Sequence, residues 1–170
     1  MPNGWEAIVG EILNKYDAKT NTHKVKNLCC NVAIYGKDGT LYASHPAGWK
    51  LESYTYDTPQ DDGSTKPVQV DEVKCAIAAS QGNRSGGNAG AGIRMGNKKF
   101  MMIRPSPEVK QGAYLSRQGG GGATVASTDK LVVIGVWDKD MPMSNKQMQN
   151  TGDCSDMVER MTKFLESKGF

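Results

Sequence analysis

The sequence is poor in the residue types that build metal centres and nucleophilic active sites. It contains two histidines, His23 and His45, and neither lies near a cysteine or an acidic cluster with ligand spacing. A zinc site and a Cys–His nucleophile pair are therefore not expected, and no metal or other cofactor is predicted. A catalytic pair of carboxylates has no fixed spacing in sequence, but nothing here argues for an enzyme, and none is predicted.

Cysteine is also scarce, and long hydrophobic runs are absent. Cys29 and Cys30 are neighbours whereas Cys75 and Cys154 stand alone, so there is no C-x-x-C pair or disulfide framework, and a reducing compartment suits them. No stretch approaches the roughly 18 apolar residues of a membrane span, and the first residues lack the shape of a signal peptide. We therefore expect a soluble, cytoplasmic protein. The net charge of +3 is too small to argue for a nucleic-acid partner, and none is predicted.

Phosphate-binding loops of the familiar kinds are missing as well. The four glycines at 119–122 lack the Gly-Lys-Ser/Thr ending of a P-loop and the spacing of a dinucleotide fingerprint. They also lead into a strand-like run, so no helix N-terminus would face a phosphate. The preferred interpretation of this run is a flexible hairpin loop.

The sequence does contain a helical pattern near each of its two ends. Its length suits a single domain, residues 1–170. From 6 to 16, apolar residues recur at the three-four spacing of one helical face, with Asn3 as the predicted N-cap. Residues 155–168 repeat this pattern with a second apolar stripe. A further helix is predicted over 68–80, and a polar loop over 17–24.

Strand-forming residues fill much of the remaining chain. Residues 28–35 and 40–44 flank an Asp-Gly turn, which predicts a hairpin. Four more strand-like runs are parted by turn residues, at 99–104, 113–116, 123–127 and 131–137. The polar stretches 47–66 and 141–153 are predicted to be irregular inserts, and 81–92 a loop. This order predicts an α+β fold with a central antiparallel β-sheet.

Several short segments resemble blocks of a known family and follow the same order. They are WEAIV (5–9), AIYGKDGTLYA (33–43), GNKKFMMIR (96–104), GGATV (121–125), LVVIGV (131–136), and MVERMTKFL (157–165) with the final GF (169–170). Together they resemble the profilins over nearly the whole chain, outside 49–66, the loop before Gly96, and 141–153. The resemblance implies a central antiparallel sheet with the terminal helices side by side on one face and smaller helices on the other.

The resemblance implies a groove for proline-rich peptides between the terminal helices. A polyproline II peptide is already extended, so its docking costs little ordering entropy, and aromatic faces stack on proline rings. Tyrosine is usual in the family at the position of Ile8, so this chain lacks one stacking face and one hydroxyl there. By its pattern alone, Trp5 would be assigned to the core. The matching groove positions are Trp5, Ile8, Tyr42, Phe164, Leu165 and Phe170.

The resemblance also implies a separate surface for monomeric actin on the later strands and the last helix. Surface lysines and arginines on strands are by themselves mostly solvated, so this assignment rests on the family. The matching positions are Lys99, Met101, Ile103, Arg104, Arg117, Thr124 and Arg160. A third implied activity is phosphoinositide binding, for which the candidates are Lys98, Lys99, Arg104 and Arg117.

The function that the resemblance implies is regulation of actin polymerisation. The protein would bind monomeric actin, promote nucleotide exchange on it, and bind proline-rich proteins such as formins, in the cytoplasm and in association with the cytoskeleton. The alternative is a profilin-like adaptor that binds proline-rich ligands or phosphoinositides without actin.

Overall fold

The computed structural model describes residues 4–17, 19–88 and 90–170. These residues form eleven short strands and three helices. In chain order they are α1 (Gly4–Leu13), β1 (Lys15–Asp17), β2 (Thr22–Val25), β3 (Asn31–Gly36), β4 (Leu41–His45), β5 (Ser53–Pro59), β6 (Thr65–Asp71), α2 (Glu72–Ser80), β7 (Ile93–Met95), β8 (Lys98–Pro105), β9 (Gly112–Arg117), β10 (Gly121–Ser127), β11 (Leu131–Asp138) and α3 (Thr151–Ser167).

A seven-stranded antiparallel sheet organises these elements. Its strands lie side by side in the order β4-β3-β11-β10-β9-β8-β7. In its centre, Val125 pairs with Ile134 on one side and with Ala113 on the other. The predicted hairpin of β3 and β4 and the four predicted later strands are all present, so the α+β prediction is confirmed.

Each face of the sheet is covered by helices. Alternate residues of a strand point to opposite faces, and on β11 Val133 packs beneath α1 and α3 whereas Val132 and Ile134 pack beneath α2. The terminal helices therefore share one face, as predicted. Within the described part of the chain, no helix has the length and apolar character needed to cross a membrane.

The segment 47–66, predicted to be irregular, is largely a β-hairpin, and that prediction was wrong. Strands β5 and β6 pair from Ser53 and Asp71 down to Pro59 and Thr65. One face of the hairpin carries Tyr54, Tyr56, Val68 and Val70, which form a small apolar cluster with Cys75 and Ala91. A hairpin with one solvated face needs apolar residues at alternate positions only, which is why the segment looked polar overall.

Several boundaries also differ from the prediction. Helix α1 ends at Leu13, and the predicted polar loop 17–24 overlaps the hairpin of β1 and β2. The second helix starts at Glu72 rather than 68. Residues 141–150 form turns with one bridge between Pro142 and Met148, and the Asn150 side chain caps α3 by accepting the N–H of Asp153 at 2.9 Å. The predicted cap of α1, Asn3, lies outside the described residues. Strand β7 had no predicted counterpart.

Candidate functional site

Three aromatic side chains from distant parts of the chain meet on the surface beside α1. Trp5 stacks on Tyr42 of β4, with ring centroids 4.8 Å apart and an interplanar angle of 30°. Its ring also meets Phe170 edge to face at 5.1 Å. Tyr42 and Phe170 are 38% and 40% exposed, and Trp5 is half-buried. The three rings therefore form an accessible aromatic cluster, and Trp5 is not the fully buried core residue that its pattern alone suggests.

A tight turn after α3 brings Phe170 to this cluster. Gly169 adopts a left-handed backbone conformation with φ of +88°, which reverses the chain at little cost because glycine has no Cβ. The N–H of Phe170 donates to the carbonyl of Leu165 at 3.1 Å, and Lys130 Nζ donates to the carbonyl of Gly169 at 3.0 Å. These hydrogen bonds hold the main chain of Phe170 beside the other two aromatic residues.

An open groove of about 480 Å³ runs between α1 and α3. Ile8 and Phe164 belong to its walls, and Phe164 is 45% exposed. The groove also includes two methionines of α3 that the sequence interpretation had not selected. Its lining residues are Ala7, Ile8, Glu11, Tyr16, Met157, Arg160, Met161 and Phe164.

Leu165 needs a correction, because its side chain does not line the groove. It is only 1% exposed and packs in the core with Val158 and Met161. These three residues recur at the spacing of the buried face of a helix, whereas the neighbouring Phe164 points to solvent. Leu165 therefore supports the groove from below and cannot contact a peptide directly.

A second exposed surface lies on β8, near the edge of the sheet. Met101 and Ile103 are 67% and 51% exposed, whereas the alternate residues Phe100 and Met102 are buried beneath α2. The guanidinium of Arg104 lies 4.9 Å from the centroid of the Tyr114 ring. The surface therefore combines apolar side chains with a cation.

A buried carboxylate fixes this surface to α3. The hydroxyl of Tyr114 donates to Glu159 Oε1 at 2.8 Å, and Ser106 Oγ donates to Glu159 Oε2 at 2.6 Å. Burial, and secondly the contact with Glu159, raises the pKa of Tyr114, so its hydroxyl remains a donor over the ordinary pH range. The ring beneath Arg104 is thus held in one position.

Thr124 and Arg117 also differ from expectation. Thr124 lies on β10, is fully buried, and its Oγ1 has no hydrogen-bond partner among the described residues. It cannot meet a protein partner without unfolding, so its assignment to the actin surface is corrected. Arg117 forms an ion pair with Asp138 at 2.8 Å, and its side chain is only 11% exposed.

Local hydrogen bonds favour the charged form of Asp138, the partner of Arg117 in this ion pair. The backbone N–H of Asp140 donates to the Asp138 carboxylate and is the main cause of the lowered pKa of Asp138, with Arg117 contributing further. Much of the charge of Arg117 is therefore balanced within the protein. Arg160 is different, because its side chain is 62% exposed on α3, where it lies 3.9 Å from Asp156 and also lines the groove beside α1.

Cationic side chains surround a cavity of about 290 Å³ at the end of the sheet. It brings together Lys98, Lys99 and Arg117 from the predicted phosphoinositide set, but Arg104 is not part of its lining. Arg94, which was not among the residues predicted from sequence, lines the cavity instead. The complete lining is Arg94, Asn97, Lys98, Lys99, Arg117, Gln118 and Gly119.

The cysteines occupy buried or half-buried positions as free thiols. Sγ of Cys29 and Sγ of Cys154 are 2.9 Å apart beneath α3. The hydrogen bond between them, followed by burial, raises the pKa of Cys154 well above its usual value, which keeps this thiol protonated. Across residues 4–17, 19–88 and 90–170, no three His, Cys, Asp or Glu side chains gather in a way that would hold a metal ion.

Comparison with known proteins places this arrangement in context. The profilin family model matches residues 4–170. By sequence, the chain is 30% identical to a profilin of Tetrahymena pyriformis over 138 residues, which cover 81% of this chain and 86% of that protein.

Solved structures show the same fold. Acanthamoeba castellanii profilin IA matches with a TM-score of 0.59 and 18% identity, over 98% of this chain and 100% of that one. Mouse profilin IIa, solved in complex with a double repeat from the FH1 domain of mDia1, matches with a TM-score of 0.53 and 17% identity, over 98% and 99% of the two chains. At these identities the likeness concerns the fold alone.

Proposed function

The chain belongs to the profilin family, and on that premise we propose that it binds proline-rich peptides on one surface and monomeric actin on another. The observation that carries the proposal is the aromatic cluster of Trp5, Tyr42 and Phe170, which occupies positions matching the family's peptide groove. The FH1 repeat bound by mouse profilin IIa supports formins as one class of proline-rich partner.

The aromatic cluster has the chemistry that a proline-rich peptide requires. A polyproline II helix presents flat ring faces, and aromatic side chains pack against them without ordering a flexible ligand. The indole N–H of Trp5 can in addition donate to a peptide carbonyl. Ile8 and Phe164 continue the apolar surface along α1 and α3, with Leu165 supporting it from beneath.

Replacing Ile8 with tyrosine is expected to tighten the binding of a proline decamer. A ring at this position adds a stacking face, worth about 0.5–1.5 kcal/mol, or roughly two- to tenfold in affinity. Isothermal titration calorimetry measures the change. The matched control is Ile103→Tyr, since Ile103 is an exposed isoleucine on β8, outside the groove. An equal gain in both variants, or no gain in Ile8→Tyr, would contradict this use of the groove.

The proposed actin surface consists of the exposed members of the predicted set. Met101 and Ile103 supply an apolar centre, and exposed apolar residues that lie together are typical of protein interaction sites. Lys99 and Arg104 lie on the same strand, and together with Arg160 of α3 they would favour an acidic partner. Bound there, the protein would limit unproductive actin assembly and deliver monomers to elongation factors that carry proline-rich segments.

We further propose that nucleotide exchange on actin is promoted mechanically. Contact with the β8 surface would favour an open form of actin, with no nucleotide bound by this chain and no covalent reaction catalysed. The protein would act in the cytoplasm, in association with the cytoskeleton, as a single domain.

Lys99→Glu is expected to weaken actin binding by about tenfold or more while leaving peptide binding unchanged. The variant places a carboxylate where the proposed acidic partner needs a cation, and like charges across an interface are costly. Titration against fluorescently labelled monomeric actin measures the loss. Lys24→Glu is the matched control, because Lys24 is an exposed lysine on β2, away from β8.

The same titration separates the proposal from its alternative. If the wild-type protein binds the proline decamer but not actin, the chain is a profilin-like adaptor without an actin function. The cavity lined by Arg94, Lys98, Lys99 and Arg117 supports a phosphoinositide headgroup as a further ligand, because these cations converge on one concave site.

A further inference from the structure

Glu72 is a fully buried carboxylate at the start of α2, and both of its oxygens are saturated with hydrogen bonds. Its Oε1 accepts the backbone N–H of Glu52 at 2.9 Å and that of Gly96 at 3.1 Å. Its Oε2 accepts the hydroxyl of Tyr54 and the backbone N–H of Asn97, both at 2.8 Å. One side chain thus joins the β5–β6 hairpin, α2 and the turn between β7 and β8.

The turn held by Glu72 is a tight two-residue connection. Met95 pairs with Lys98 across it, and the two central residues, Gly96 and Asn97, have φ of +59° and +58°. Positive φ at both central positions is characteristic of a type I′ turn, whose twist matches that of the two strands of a hairpin. The carboxylate of Glu72 accepts the N–H groups of both central residues, and Lys98 and Lys99 follow directly.

A cation is linked to Glu72 through one intervening hydroxyl. The hydroxyl of Tyr54, which donates to Glu72, also accepts a hydrogen bond from the Nε–H of Arg94 at 3.2 Å. The guanidinium of Arg94 lies 4.1 Å from the centroid of the Tyr56 ring, and the residue is only 8% exposed. Glu72 also lies at the N-terminus of α2, where the helix dipole favours an anion.

We propose that Glu72 is a positioning residue for the actin surface, because it clamps the β7–β8 turn in the one shape that places Lys99. This inference rests on the proposed function. Glu72 forms hydrogen bonds with the main chain of the turn rather than with lysine side chains. Glu72 therefore influences actin binding through the geometry of the backbone. The β5–β6 hairpin participates through Glu52 and Tyr54, which share the same carboxylate.

A double-mutant cycle on actin affinity tests the proposal. In Glu72→Gln the side chain keeps its shape, but an NH₂ group replaces one acceptor and faces donors, so the turn loses its clamp. We expect actin binding to weaken about fivefold, equivalent to the loss of one or two ordinary hydrogen bonds. The double variant with Lys99→Glu should bind no more weakly than Lys99→Glu alone, because Glu72 acts through Lys99.

Two features of this design isolate positioning from other effects. Glu72→Gln removes one negative charge near a surface that is proposed to meet an acidic partner, so electrostatics alone would tighten binding. Weaker binding therefore has the sign of a lost geometry. Affinity for the proline decamer, measured in parallel, should not change, since the aromatic cluster lies beside α1 and β4.

A milder pair of variants keeps the proposal testable if Glu72→Gln fails to fold. Tyr54→Phe removes one of the four hydrogen bonds to Glu72 and keeps the ring. Tyr56→Phe is its matched control, because Tyr56 lies on the same strand but its hydroxyl makes no hydrogen bond to Glu72. We expect Tyr54→Phe alone to weaken actin binding about twofold and to speed amide exchange at Gly96 and Asn97.

Each outcome distinguishes the inference from the function on which it rests. If folded Glu72→Gln and Tyr54→Phe bind actin like the wild type, or if the effects of Glu72→Gln and Lys99→Glu are additive, the positioning role is overturned. A parallel loss of actin and peptide binding would overturn it too, because that pattern reports general destabilisation. If the wild type binds the proline decamer but not actin, the actin function and the inference fall together.

Discussion

Replacing Trp5 with alanine is expected to weaken the binding of a proline decamer by about thirtyfold or more, with actin affinity unchanged. Trp5 is the centre of the aromatic cluster, since its ring contacts both Tyr42 and Phe170. Truncation removes its own stacking face and takes away the support of the two neighbouring rings. Aromatic residues at the centre of a binding site typically cost about 2 kcal/mol or more when truncated. Isothermal titration calorimetry is the suitable measurement, because it does not depend on tryptophan fluorescence.

Two further variants show whether the loss belongs to the binding surface. Trp5→Phe retains a ring and should keep much of the affinity. Trp49→Phe is the matched replacement on the other face of the sheet, where Trp49 packs with the cluster beneath α2, and it should leave peptide binding unchanged. If folded Trp5→Ala binds the decamer like the wild type, the peptide binds elsewhere and Trp5 serves only packing.

The elements that were predictable from sequence are those in which a local pattern coincides with burial. Strand β11 is buried on both faces for most of its length, so it reads as an uninterrupted apolar run. Helix α3 packs one stripe against the sheet and therefore shows the three-four spacing. In both elements, the residues that decide the structure are neighbours in sequence.

The β5–β6 hairpin and the role of Glu72 were not predicted, because neither produces a distinctive pattern of neighbouring residues in the sequence. The hairpin buries only alternate residues on one face, and its other face is polar like a loop. Glu72 looks like an ordinary acidic residue in the first turn of a helix. Its partners Tyr54, Gly96 and Asn97 are distant in sequence, and a local pattern carries no information about such contacts.

The candidate site was predictable only through the family resemblance, and then imperfectly. The aromatic cluster depends on α1, β4 and the turn after α3 meeting in space, which no local pattern reports. Phe164 and Leu165 are neighbours, yet one is 45% exposed and the other 1%, because adjacent positions of a helix face different directions. The assignment of Thr124 to a binding surface was wrong for a related reason, since β10 is buried on both faces.

The glycine run shows how a local interpretation can be half right. The sequence predicts a flexible hairpin loop over these glycines, and residues 118–120 do form the turn between β9 and β10. Gly121 and Gly122, however, belong to β10 and pair with Arg117 and Ser116 of β9. A Cβ at Gly122 would overlap the carbonyl oxygen of Leu115 and lie 2.9 Å from Nε1 of Trp137. This glycine is required by close approach rather than by flexibility.

Gly122→Ala is therefore expected to lower the free energy of unfolding by about 3 kcal/mol, the upper part of the usual range for overpacking in a core. The obstructing atom is a backbone oxygen, so the clash cannot be relieved by a side-chain rotation, and β9 and β10 must separate locally. For a chain of this length, the loss corresponds to a fall in Tm of roughly 6–12 °C. Thermal unfolding followed by circular dichroism, together with urea titration, measures both quantities.

Gly10→Ala supplies the matched control, because the same methyl group is added where space is open. Gly10 lies within α1, and apart from its chain neighbours and the backbone of the helix itself, no described atom lies within 4 Å of a Cβ built there. Alanine is the better helix former, so this variant should be neutral or more stable by up to about 1 kcal/mol. If instead Gly122→Ala unfolds at the same temperature as the wild type, the β9–β10 ladder has room for a side chain. Gly122 would then be as replaceable as a loop interpretation implies.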